Sequence, residues 1–96
     1  MANIVIPIYY KTPSEVLDYT VDWKNWLETY DKITDVVWSC TPTGLTLTNQ
    51  ENDDNTATTI IAGGTSSVTY TVTCKITTDY TLVGERSFQI IVVTKR

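Results

Sequence analysis

The stretch Leu17-Asp18-Tyr19-Thr20-Val21-Asp22-Trp23-Lys24-Asn25-Trp26-Leu27 decides the fold that this sequence predicts. Its first half alternates between apolar and polar residues, which is the period-two pattern of a half-buried strand. The apolar positions are Leu17, Tyr19, Val21 and Trp23. Beyond Trp23 the alternation stops, and Asp22 is placed to cap a short helical turn between Lys24 and Leu27. The stretch therefore predicts one wall of a β core, closed by a turn that folds Trp26 back onto it.

Further strands are predicted on both sides of turn signals along the rest of the chain. The clearest alternation runs from Ser67 to Thr77, and weaker strand patterns cover residues 33–40, 45–48, 56–62 and 85–94. Residues 41–44, Thr-Pro-Thr-Gly, predict a type I turn leading into a hairpin strand, and the polar run 49–55 predicts an exposed loop. A chain of 96 residues buries a single core. These patterns predict an all-β fold, a single immunoglobulin-like antiparallel β-sandwich of about seven strands.

Both ends of the chain carry apolar residues beyond those that the core of an isolated sandwich would bury. Residues 4–10 are apolar on both parities, and Pro7 in their middle restricts them to an edge strand or an extended arm. We divide the chain accordingly into an arm or edge strand over residues 1–10 and a sandwich over residues 11–96. In the last strand, Ile91 and Val93 face away from the core, and we expect the arm or another protein to cover them. The predicted interface residues are Ile4, Val5, Ile6, Ile8, Tyr9, Tyr10, Ile91 and Val93.

The charge and hydropathy of the chain exclude several classes of partner. The net charge is −4 with only seven basic residues, which argues against a nucleic-acid partner, because such binding depends largely on lysine and arginine. No apolar run is long enough to span a membrane. The first residues show no export signal, so we expect the protein to stay in the cytoplasm where it is made.

No group of residues in the sequence is typical of an enzyme, a metal site or a cofactor site. Histidine is absent. Asp18 and Asp22 would stand about 13 Å apart on a strand, which is too far for a glycosidase pair. Asp53 and Asp54 lack the spacing and the glycine of a calcium loop. We expect a non-enzymatic protein that needs no cofactor.

The two cysteines are predicted to be buried thiols. Cys40 and Cys74 fall on strands that would lie in the same sheet, whereas the disulfide of an immunoglobulin domain joins the two sheets. Three aromatic residues, Trp26, Tyr30 and Tyr80, are left over as possible exposed rings, and they keep a carbohydrate-binding module open as an alternative function.

In several motifs the sequence resembles small structural proteins of tailed bacteriophages and prophages. The resemblance begins at Lys11-Thr12-Pro13 and covers nearly the whole chain. It continues through Val16-Leu17-Asp18-Tyr19, Asp22-Trp23, Trp26-Leu27, Trp38 with Pro42-Thr43-Gly44-Leu45, Gly63-Gly64-Thr65, Tyr70-Thr71-Val72 and Glu85-Arg86-Ser87. Proteins of this kind are described as fibre-tail adaptors, or as minor head or tail proteins, with an immunoglobulin-like domain. The apolar residues 4–10 and the cysteine pair depart from the family pattern.

The resemblance implies a non-enzymatic virion component, a tail or baseplate adaptor that joins tail parts or fibres. Its partners would be other phage structural proteins of the tail, baseplate or fibre, or of the capsid, within a symmetric multi-copy assembly. A capsid decoration protein docked on the head shell is the second interpretation, and a carbohydrate-binding module with a glycan partner is the third.

Overall fold

Seven β-strands in two sheets make up the fold of residues 7–96, the part of the chain that our computed structural model describes. The strands are β1 (Ile8–Lys11), β2 (Leu17–Asp22), β3 (Ile33–Thr41), β4 (Leu45–Asn52), β5 (Thr56–Gly63), β6 (Thr69–Thr78) and β7 (Val83–Val92). One sheet has the strand order β1-β7-β6-β3, and the other has the order β2-β5-β4. Neighbouring strands pair antiparallel except for β1, which runs parallel to β7. The predicted all-β sandwich of seven strands is confirmed.

The stretch around Asp22 and Trp23 adopts the conformation that its sequence predicts. Tyr19 and Val21 on β2 point into the core, and Trp23 is 1% exposed. The amides of Trp26 and Leu27 both donate to the Trp23 carbonyl, at 3.0 and 2.9 Å, which closes one helical turn. The Asp22 carboxylate accepts from the Lys24 amide at 2.9 Å. Because the turn folds back, the Trp26 ring packs edge-on against Trp23, with the ring centroids 5.3 Å apart.

The core lies between the two sheets and is built from the predicted parities of β2, β6 and β7. Tyr70, Val72, Cys74 and Ile76 on β6 are each at most 1% exposed, as are Ile90 and Val92 on β7. An aromatic group fills the space near β1, where Phe88 stacks on Tyr19 at 5.4 Å and meets Trp38 edge-on at 6.3 Å. Because Phe88 lies on β7, the strand that pairs with β1, this aromatic group closes the core at that edge of the molecule.

The predicted hairpin between β3 and β4 is wrong, because β4 pairs with β5 in the opposite sheet. Residues 41–44 carry the chain from the larger sheet to the smaller one, instead of reversing it within one sheet. Gly44 has φ of 142°, and a Cβ there would lie 2.7 Å from the Tyr70 hydroxyl. The crossing therefore depends on a glycine that lets the backbone approach a core tyrosine closely.

The predicted loop over residues 49–55 is also too long, because β4 continues to Asn52. The pairing with β5 shifts between Thr48 and Glu51, and Asn49 has φ of 48°. This irregularity accommodates polar residues that are exposed on both faces of an edge strand, so their sequence shows no alternation. The loop that remains is short, and Asp53 holds it by accepting from the amides of Asn55 and Thr56 at 3.0 and 2.7 Å.

Candidate interface at the edge formed by β1 and β7

Strand β1 lies at the outer edge of the larger sheet, with β7 as its strand partner on one side. The Gln89 amide donates to the Pro7 carbonyl and the Val93 amide donates to the Lys11 carbonyl, both at 2.9 Å, so β1 is bonded to β7 along its length. No strand of the described chain lies on the other side of β1, where the Tyr10 carbonyl points away from β7 and accepts from the Arg96 guanidinium at 3.1 Å. Another extended chain could pair with this side if it displaced the Arg96 side chain.

The side chains of β1 alternate between the two faces of the sheet. Tyr9 lies in register with buried Ile90. Its ring meets Tyr19 and Phe88 edge-on, with centroids 5.4 and 5.5 Å away, yet 43% of the residue stays exposed. Tyr9 therefore closes the core at this edge while presenting part of its ring to the outside.

The other face of this edge carries apolar side chains with little cover. Ile8 and Tyr10 are each 51% exposed, and Tyr10 lies in register with Ile91. Ile91 and Val93 are half-buried. The described part of the arm lies beside β7 in the same sheet and does not lie over these two residues. We refer to Ile8, Tyr9, Tyr10, Ile91 and Val93 as the edge surface; Ile4, Val5 and Ile6, which the sequence also places in the interface, lie outside the described residues.

A buried lysine anchors the end of β1. Lys11 is 0% exposed, and its ammonium donates to the Gly63 carbonyl at 2.6 Å and to the Thr12 carbonyl at 2.8 Å. Burial lowers the pKa of this lysine. Because Gly63 belongs to β5 in the other sheet, Lys11 ties the edge strand to both sheets. Sequence reasoning missed this role, because a lysine at the end of an apolar run looks like a solvated turn residue.

A second anchor joins β1 to the end of the chain through Glu15 and Arg96. The Arg96 guanidinium lies 2.9 Å from the Glu15 carboxylate and also donates to the Tyr10 carbonyl at 3.1 Å. The Thr12 amide donates to Glu15 at 2.8 Å, and this bond, with Arg96 nearby, lowers the pKa of the carboxyl group. Strand β1, which presents the edge surface, is thus held by its backbone bonds to β7 and by the contacts of Lys11 and Arg96 at its C-terminal end.

A groove of about 280 Å³ opens beside β1, between β7 and β2. Its apolar lining includes Tyr9, Tyr19 and Phe88, and its polar lining includes Asp22 and Arg86. The Arg86 guanidinium donates to the Asp22 carbonyl at 2.6 Å and lies 4.6 Å from the centre of the Trp23 ring. These contacts hold the arginine in place. The groove shares Tyr9 with the edge surface and lies directly beside it.

A second exposed apolar group, which the sequence indicates only in part, lies at the other end of β7. It consists of Trp26, Tyr30, Tyr80, Leu82 and Val83, which are between 39% and 65% exposed. The three rings are among those that the sequence leaves unexplained, whereas Leu82 and Val83 were not singled out. Both aliphatic residues fall where a turn passes into a strand, and no periodicity distinguishes a buried from an exposed position there. We call this group the loop-end cluster.

The described residues also bear on three expectations from the sequence, which concern the cysteines, metal binding and membrane spans. Cys40 and Cys74 are free thiols on neighbouring strands, and burial raises the pKa of Cys74 to about 11. Among residues 7–96, no three side chains of the metal-binding types come together. No helix in that range is long and apolar enough to cross a membrane.

Comparison with known proteins assigns the fold and the family. No curated protein matches the chain. Among solved structures, the chain is similar to the PKD domain of the KIAA 1837 protein, with 22% sequence identity and a TM-score of 0.57 over 94% of this chain and 81% of that one. At this identity the likeness supports the immunoglobulin-like sandwich and nothing more. A family model described as "Podophage GP4 fiber-tail adaptor protein gp77" matches residues 11–91, and the chain therefore belongs to this family of phage fibre-tail adaptors.

Proposed function

We propose that this protein is a non-enzymatic component of a phage tail that joins other tail, baseplate or fibre proteins through its edge surface. The observation that carries the proposal is the edge strand β1 of a chain that belongs to a fibre-tail adaptor family: it exposes Ile8 and Tyr10 on one face of the sheet and part of the Tyr9 ring on the other. Exposed apolar residues scattered singly are ordinary, whereas a contiguous group on a sheet edge is typical of a docking surface.

The geometry of the edge favours a protein partner. Tyrosines contribute strongly to protein interfaces because they bury a large area at a small cost in side-chain entropy. The free side of β1 can accept an extended segment as an added strand, and the neighbouring groove can take a side chain of that segment. We expect the protein to act in several copies arranged around the tail axis, because assemblies of identical protein copies usually have closed rotational symmetry.

The proposal is tested by complementing a phage that lacks the gene with variants of the protein. Ile8→Asp should abolish incorporation into tails, because the interface would have to bury an unpaired carboxylate. Val37→Asp is the matched control, since Val37 on β3 is an aliphatic residue that is 53% exposed, close to the 51% of Ile8. Equal incorporation of the two variants would contradict the proposal, and incorporation on the head shell would indicate a decoration protein instead.

A further inference from the structure

The loop-end cluster lies at the opposite end of the molecule from the edge surface. Val83 begins β7 and Ile91 lies near its end. Eight residues of strand place these two positions about 26 Å apart. One molecule could therefore contact two different partners at the same time.

The two loops that carry Tyr30 and Tyr80 are bonded to each other, and the two rings are in contact. The Asp31 carboxylate, which is 9% exposed, accepts from the amides of Lys32 at 2.9 Å and Tyr80 at 3.2 Å. The Asp79 amide donates to the Lys32 carbonyl at 3.0 Å. Tyr30 and Tyr80 meet edge-on with centroids 4.9 Å apart. Exposed aromatic side chains that are already ordered lose little entropy when a partner binds.

Trp26 is positioned from the β7 side. A Cβ on Gly84 would lie 2.9 Å from both the Trp23 and the Trp26 rings, so these two rings pack directly on the backbone of β7. Trp26 nevertheless stays 39% exposed. The cluster thus joins the start of β7 to the turn that follows β2 in one fixed surface.

The charge around the cluster is strongly negative. Three loops meet at this end of the sandwich, covering residues 23–32, 53–55 and 79–82. They carry five carboxylates, Asp31 among them, and two lysines, Lys24 and Lys32, for a net charge of −3; the other carboxylates are Glu28, Asp53, Asp54 and Asp79. Most of the net charge of −4 is therefore concentrated at this end.

We infer that the loop-end cluster is a second docking surface and that it binds a basic protein surface with exposed apolar side chains on another virion component. An apolar centre with a charged rim is the usual composition of a protein interface, and the negative rim selects a positive partner. A second copy of this chain fits poorly, because it would bring a further net charge of −4 and because Arg96, on its opposite end, is already paired with Glu15. The identity of the partner as a virion component rests on the proposed function.

Photo-crosslinking in assembled particles tests the inference directly. We would place p-benzoylphenylalanine at Tyr80 and, in a separate protein, at Tyr10, and identify the crosslinked peptides by mass spectrometry. Position 80 should capture a peptide of a different protein that contains lysine or arginine, and position 10 should capture a different peptide. Crosslinks from position 80 to copies of this chain, or none while position 10 reacts, would overturn the inference and leave the proposed function standing. The absence of crosslinks at both positions would overturn both the inference and the proposed function.

A titration of the isolated full chain tests the same surface independently of the virion. The probe is the peptide Arg-Leu-Arg-Leu-Arg, followed by NMR of the isotopically labelled protein, with Glu-Leu-Glu-Leu-Glu and maltotetraose as comparisons. The basic peptide should shift the amides of residues 28–32 and 79–83. Asp79→Lys should weaken its binding about fivefold, whereas Asp18→Lys, an equal change of charge on β2, should leave it unchanged. Equal effects of the two variants, or stronger binding of the sugar, would overturn the inference.

Discussion

We predict that Cys74 makes the stability of this protein fall in alkaline solution, by an amount that follows from the burial of its thiol. The thiol is 0% exposed on β6, and burial raises its pKa from the ordinary value of 9.0 to about 11. Between these values the unfolded chain loses the thiol proton while the folded protein keeps it, so the unfolded state binds fewer protons and stability decreases as the pH rises. The stabilisation by the protonated thiol is fully present below about pH 9 and is lost as the pH approaches about 11.

The linkage relation gives the magnitude. At about pH 10.5 the two pKa values predict a loss of about 2 kcal/mol of unfolding free energy, compared with almost none at about pH 7.5. Cys74→Ala removes the titrating group, so its unfolding free energy should lack this part of the decrease, whatever the substitution costs at neutral pH.

Urea unfolding of both proteins at the two pH values measures the effect. The difference between wild type and Cys74→Ala isolates Cys74, because Cys40, Tyr19 and Lys11 titrate in both proteins. Their pKa values are also shifted, those of Cys40 and Tyr19 upward and that of Lys11 downward. An equal pH dependence of the wild type and the variant would refute the reasoning, since it would mean that the thiol ionises as easily in the folded protein as in the unfolded chain.

Three further substitutions test contacts that hold the core and the two surfaces. Lys11→Met should lower the unfolding free energy by about 1–3 kcal/mol, because it leaves the Gly63 and Thr12 carbonyls without their donor, while Lys75→Met, at an exposed lysine of β6, should have little effect in the same urea titration. Tyr70→Phe removes the hydroxyl that accepts from the Thr65 amide at 2.9 Å, at a cost of about 1 kcal/mol; a similar cost for Tyr10→Phe, at an exposed ring, would show that this bond is not the cause. Gly84→Ala should cost about 1–3 kcal/mol by overpacking against Trp23 and Trp26, and an unchanged tryptophan fluorescence spectrum would show that the two rings do not pack on β7 as described.

The sequence predicts the position and the core residues of a strand where one face of that strand is buried and the other is exposed to solvent. β2 and β6 have this property, and their core residues follow the predicted parity. The pairing of β4 could not be predicted in the same way, because a turn with proline and glycine is compatible both with a hairpin and with a crossing between sheets. The extension of β4 to Asn52 was missed because an edge strand with two exposed faces has no apolar period.

The candidate interface was predicted in outline and corrected in its details. The apolar run before Lys11 was expected to form an edge strand or an arm, and its described part is the edge strand β1. Its parallel pairing with β7 depends on tertiary contacts such as the Lys11 bond to Gly63, which no local pattern reveals. The same limit applies to the loop-end cluster, since residues from two loops and the start of β7 become neighbours only when the sandwich forms.

Hydroxyl-radical footprinting of Tyr10, comparing the isolated protein with assembled tails, tests the central claim most directly. Tyr10 is 51% exposed in the isolated chain, so its ring should react readily there. If the edge surface joins this protein to its neighbours, assembly should reduce the modification of Tyr10 at least fivefold, while Val37 on β3 keeps its reactivity. Unchanged modification of Tyr10 in assembled tails would contradict the account.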